Sequence, residues 1–83
     1  MTYRVIFSDL ALKQMKKLDE EIRRRIISTI ERIRIRPDAY VRKLVGDEGY
    51  RLRVGDYRVV LDLDKEQLII LVLRIGHRKN VYN

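Results

Sequence analysis

The sequence predicts an α+β fold in the order β-α-α-β-β-β, with a helical hairpin packed on one face of a mostly antiparallel four-stranded sheet. Three observations predict it. Ile22, Ile26, Ile30 and Ile33 recur at helical spacing. A second apolar row, Ala11, Met15 and Leu18, precedes them at the same spacing. Beyond Gly49, three runs of β-forming residues are separated by tight turn signals. With 83 residues the chain is read as a single domain, 1–83.

The first element is "TYRVIF", with Tyr3, Val5 and Phe7 on one face and Arg4 and Ile6 on the other. Ser8 and Asp9 then read as a helix start, because a short side-chain oxygen can accept the unpaired N–H groups of a first turn. Leu12 lies beside the first apolar row. Asp19 is read as the N-cap of the second helix, and Glu20 and Glu21 suit its positive end. Ile27 is read as widening the isoleucine stripe, and Arg23, Arg24, Arg25, Arg32 and Arg36 take the opposite side. Pro37 ends this helix at or before Arg36. The short Leu18–Asp19 junction implies an antiparallel hairpin.

From Asp38 to Gly49 no period is legible, and "GDEG" reads as a turn. "YRLRV" then alternates, with Tyr50, Leu52 and Val54 opposite Arg51 and Arg53. A "GD" turn leads into "YRVVLDL", with Tyr57, Val59, Leu61 and Leu63 opposite Arg58. "DKEQ" turns the chain into "LIILVLRI", expected to be the most buried strand. If the helices cover the Tyr57–Val59–Leu61 face, period-two alternation puts Arg51, Arg53 and Arg58 together on the other. Like charges in proximity destabilise a sheet face, so an anion is expected there.

The formal net charge is +7, from 19 Lys and Arg against 12 Asp and Glu, and arginine far outnumbers lysine. Guanidinium offers planar paired donors and stays charged, which favours phosphate. Nucleic acid or an acidic protein is therefore the expected partner class. With no cysteine, disulfides and thiolate metal sites are excluded. The scattered acids and the lone His77 form no metal-ligand spacing, and no cofactor motif is present, so neither a metal nor a cofactor is expected. The longest apolar run, 68–73, is too short to cross a bilayer, and "MTYRVIF" lacks a signal-peptide core. A cytoplasmic protein with no membrane partner is expected.

The segments "GDYRVVL" and "GHRKNVY", on a β-αα-βββ chain of this size, resemble the RelE/ParE superfamily of toxin–antitoxin toxins. The resemblance covers essentially the whole chain. It implies a ribosome-dependent endoribonuclease that cleaves mRNA without a metal and is held inactive by a RelB-like antitoxin in a hetero-oligomer. The alternative within the superfamily is a ParE-like toxin, non-enzymatic, that poisons DNA gyrase. Matched residue by residue, Arg58 takes the place of the arginine that contacts the scissile phosphate. Arg78 takes that of the arginine tied to phosphate stabilisation and leaving-group protonation, and Tyr82 that of the tyrosine that orients the mRNA. Arg51 and Arg53 fall where bacterial RelE toxins carry two lysines; arginine does not deprotonate at workable pH and makes a poor general base. His77 is then the one nearby side chain of a type that titrates near neutrality, and it is a candidate proton acceptor. Lys79 is read with Arg51, Arg53, Arg58 and Arg78 as a nucleic-acid contact.

Overall fold

A computed structural model describes residues 2–46 and 49–77. Its elements are β1 (Arg4–Phe7), α1 (Asp9–Lys16), α2 (Glu20–Arg32), a short 3-10 turn (Pro37–Ala39), β2 (Arg42–Lys43), β3 (Tyr50–Val54), β4 (Tyr57–Asp64) and β5 (Ile69–His77). The α+β class and the helical hairpin agree with the sequence reading. The sheet has five strands rather than four, in the order β1-β5-β4-β3-β2. The addition is β2, a two-residue strand antiparallel to β3, inside the stretch where no period is legible. Only β1 runs parallel to its neighbour, β5.

Local chemistry sets the boundaries. Ser8 caps α1, its hydroxyl accepting the Ala11 N–H at 3.0 Å. Asp19 occupies the N-cap of α2 but makes no side-chain cap bond. Arg23 instead closes the hairpin, donating to the carbonyls of Met15, in the last turn of α1, and of Leu18, in the junction. The basic run on α2 therefore divides, since Arg24 pairs with Glu20 while Arg25 turns toward the β3–β4 turn. In the 64–68 turn, Asp64 accepts the Glu66 and Gln67 N–H groups.

The main core lies between the hairpin and one sheet face. Ile26, Ile30 and Ile33 pack with Ala11, Met15, Leu52, Val54, Val59, Leu61, Ile70, Val72 and Ile75. Leu12 and Ile27, expected to widen the apolar rows, are exposed, at 46% and 44%. The hairpin buries a narrower stripe than the sequence suggests. The longest unbroken burial is in β4, where Val59, Val60 and Leu61 are all buried, rather than in β5. The reason is a second small cluster on the far face, where Leu44 and partly buried Leu73 cover Val60.

Strand β5 carries one extra residue. Val60 pairs with Arg74 but Leu61 pairs with Val72, so Leu73 is a bulge. The bulge resets the alternation: Val72 and Ile75 both face the core, and Arg74 and Gly76 turn to the opposite face. Where β1 stops at Phe7, α1 takes over as the neighbour of β5. The Ser8 N–H donates to the Val72 carbonyl, the Ser8 hydroxyl to the Leu73 carbonyl at 2.7 Å, and Gln14 Oε1 accepts the Ile75 N–H at 2.6 Å.

Candidate nucleic-acid interface

The face of the sheet turned away from the helices carries arginines in register. Arg53 lies directly opposite Arg58 across β3 and β4, and Arg42 lies opposite Arg51 across β2 and β3. Directly opposed residues have Cβ atoms about 5 Å apart, so each pair sets two positive charges side by side. With Tyr40 the four guanidinium-bearing residues line a shallow hollow of ≈ 180 Å³. Among the described residues no carboxylate pairs with Arg42, Arg51 or Arg53; the ion pairs Arg34–Glu31 and Lys65–Asp38 lie elsewhere. Cross-strand pairs act on a scale of about 0.2–1 kcal/mol, and here two of them oppose folding together. An oxyanion in the hollow would turn that repulsion into attraction, and guanidinium donors fit its paired oxygens.

The strands hold these side chains firmly. Leu52 and Val54 are buried in the core, which fixes Arg51 and Arg53 outward by alternation. Arg58 sits between buried Val59 and half-buried Tyr57 and is itself half-buried. The sequence reading anticipated Arg51, Arg53 and Arg58 as a group, and the structure brings them together. It missed Arg42 and Tyr40. The available signal was "VRKLV", a basic pair between apolar residues, which is the pattern of a short strand.

His77 is in register with Tyr57, and their rings meet edge to face with centroids 5.4 Å apart. Its neighbour Gly76 pairs with Arg58. His77 is thus on the alternate face from Arg58 and is not among the residues lining the hollow. Arg78, Lys79 and Tyr82 lie outside the described residues. No group of acidic, His or Cys side chains suited to hold a metal ion occurs among the described residues. No described helix is long and apolar enough to cross a membrane.

Comparison with known proteins gives a consistent set of matches. The family described as "ParE toxin of type II toxin-antitoxin system, parDE" matches residues 5–82. A protein of Escherichia coli described as a RelE-like toxin is 34% identical over an alignment covering 100% of this chain and 93% of the relative. Toxin RelE3 of Methanocaldococcus jannaschii is 30% identical, with 96% of each chain covered. Among solved structures, a chain of the RelBE2 toxin–antitoxin complex of Mycobacterium tuberculosis superposes with a TM-score of 0.86 at 25% identity, covering 94% of this chain and all of that one. A chain of the intact Escherichia coli RelBE complex gives 0.76 at 28% identity, covering 90% of this chain and 95% of the other.

Proposed function

Because this chain belongs to the ParE/RelE family of type II toxin–antitoxin toxins, we propose that it is an endoribonuclease that cleaves mRNA on the ribosome and so stops translation. The observation that carries the reading is the hollow of Arg42, Arg51, Arg53 and Arg58, a concentration of strand-held positive charge. RNA supplies its own nucleophile, the 2′-hydroxyl. Cleavage then needs that oxygen held in line with the phosphorus, charge stabilisation on the phosphorane, and a proton for the departing 5′-oxygen. In this mechanism the scissile phosphate lies on Arg58, with Arg51 and Arg53 beside it. Arg78 stabilises the phosphorane, Tyr82 orients the strand, and Lys79 holds a neighbouring phosphate; these three roles rest on the sequence motif. Since arginine keeps its proton, solvent water takes the 2′-hydroxyl proton and returns one to the departing 5′-oxygen. Tyr40, 55% exposed at the rim, is an aromatic platform on which an unstacked base can lie. The 2′-hydroxyl and the 5′-oxygen are internal to the RNA, so no metal or cofactor is required. The products are a 2′,3′-cyclic phosphate and a 5′-hydroxyl end.

His77 was the candidate proton acceptor from the sequence. Its ring packs on Tyr57, on the alternate face from Arg58, so we assign catalysis to positioning and arginine charge and give His77 the role of anchoring the end of β5.

The partner in the cell is a RelB-like antitoxin, in a hetero-oligomer located in the cytoplasm. Support comes from the solved relatives, which include RelB–RelE complexes from Pyrococcus horikoshii and Methanococcus jannaschii. The surface suits such a partner: acids can meet the arginine face, and exposed Ile6, Leu10 and Leu12 offer apolar contacts to an amphipathic helix.

The ParE description of the matching family favours a second reading, a non-enzymatic poison of DNA gyrase. Programmed ribosomes incubated with the purified protein, beside a gyrase supercoiling assay, separate the two. New mRNA ends with unaffected supercoiling support the nuclease; inhibited supercoiling with intact mRNA supports the gyrase poison.

A further inference from the structure

A second basic trough lies around the corner from the sheet face. Arg25, Ser28, Thr29 and Arg32 of α2 and Arg53 of β3, with the adjoining turn, line an open space of ≈ 330 Å³. Positions 25, 28, 29 and 32 share one helix face. The Arg25 guanidinium lies against Gly55: a Cβ there would stand 3.3 Å from Nη1 and 3.4 Å from Cζ. Gly55 also has φ 59°, so the turn both needs glycine and leaves room for the arginine. Arg53 Nε reaches the Gly55 carbonyl at 3.4 Å. Among the described residues, no carboxylate pairs with Arg25, Arg32 or Arg53.

Three guanidinium-bearing side chains line this space with the Ser28 hydroxyl, while the Thr29 hydroxyl donates back to the Arg25 carbonyl at 2.8 Å. Such a set matches an oxyanion with several acceptor oxygens. The trough is open along its length rather than enclosed, which suits a polymer crossing it. Arg53 lines both this trough and the sheet hollow. The two sites therefore form one basic track, from the sheet over the β3–β4 turn onto α2.

We propose that the Arg25–Arg32–Arg53 trough is a second phosphate subsite, which holds the RNA backbone next to the segment bound on the sheet face. This inference rests on the reading of the sheet face as an RNA site. It adds that binding extends onto a helix the cleavage chemistry does not use. Its contribution is to affinity and register rather than to base identity, since phosphate contacts carry no sequence information.

The test is binding of a fluorescent single-stranded RNA to the full chain, followed by anisotropy over a range of salt concentrations. Two double variants are compared with wild type: Arg25→Gln with Arg32→Gln on the helix, and Arg51→Gln with Arg58→Gln on the sheet. Losing one phosphate contact lowers the slope of log affinity against log salt by about 0.7 for single strands, and the helix pair is expected to lose about one such unit. Affinity at low salt should fall about tenfold, equally for unrelated sequences. The pair Arg25→Lys with Arg32→Lys should restore the slope. Melting temperatures of the two helix variants should match wild type, because Arg25 and Arg32 are exposed. If the helix pair binds like wild type while the sheet pair loses binding, the second subsite is wrong and the sheet reading stands. If neither pair changes binding, both readings fall. If the helix pair binds RNA normally but loses an acidic protein partner, the trough is a protein site and the inference is overturned.

Discussion

Gln14→Leu should destabilise the protein through a single hydrogen bond. Gln14 Oε1 accepts the Ile75 N–H at 2.6 Å, just past the bulge at Leu73 and beyond the end of β1. Ile75 is 2% exposed, so no water replaces the lost acceptor. Leucine fills similar space but accepts nothing. A buried donor left unsatisfied costs about 1–3 kcal/mol. For a domain of this size a loss of 2 kcal/mol lowers Tm by about 8–16 °C. The assay is thermal unfolding of the purified chain followed by circular dichroism. Gln14→Glu is the control, since a carboxylate still accepts, and it should melt within a few degrees of wild type. Ser8→Ala should add a comparable loss, because its hydroxyl both caps α1 and donates to the Leu73 carbonyl. The consequence reaches the site, as the bulge sets which residues of β5 face the arginine hollow. If Gln14→Leu and Gln14→Glu melt together near wild type, the side chain does not hold the bulge and the reasoning fails.

Arg58→Ala and Arg78→Ala should each slow single-turnover cleavage of ribosome-bound mRNA by at least about 100-fold, the scale of removing one donor to a developing oxyanion; near-wild-type rates in both would remove them from the reaction. Tyr40→Ala should weaken RNA binding by about 1–3 kcal/mol, the range for one base–aromatic stack, while Tyr40→Phe keeps it; equal loss in both variants would point to the hydroxyl instead. His77→Gln should lower Tm through loss of its ring contact with Tyr57 and leave the shape of the pH–rate profile unchanged; a vanished inflection where imidazoles titrate would return His77 to proton transfer. Ile30→Ala, at a site 1% exposed, should cost about 2–5 kcal/mol in chemical denaturation; a loss below 1 kcal/mol would mean that the hairpin does not rest on this stripe.

Much of this structure is legible in periods. The isoleucine row on α2 has one dominant spacing, and β3 alternates arginine with buried residues, so helix, strand and arginine face all follow from counting. Elements that depend on distant partners are not legible. Strand β2 is two residues long and exists because β3 offers it an edge and because the Leu44 N–H bonds the Gly49 carbonyl at 3.1 Å. Arg42 and Tyr40 were missed with it. The bulge in β5 leaves no trace in "LIILVL", where apolar residues on both faces hide a slip of one. Its signals are Ser8 and Gln14, which lie about 60 positions away in sequence and look like ordinary helix residues. Ile27 and Leu12 misled for the opposite reason: apolar character alone does not say whether a neighbouring element reaches far enough to cover them.

The most direct measurement is the chemistry of the mRNA ends made on programmed ribosomes by wild-type protein and by Arg58→Ala. Cleavage through the RNA's own 2′-hydroxyl, driven by the arginine face, predicts 2′,3′-cyclic phosphate and 5′-hydroxyl ends with wild type and almost no product with Arg58→Ala. Ends carrying a 5′-phosphate, intact mRNA with wild type, or undiminished cleavage by Arg58→Ala would contradict it.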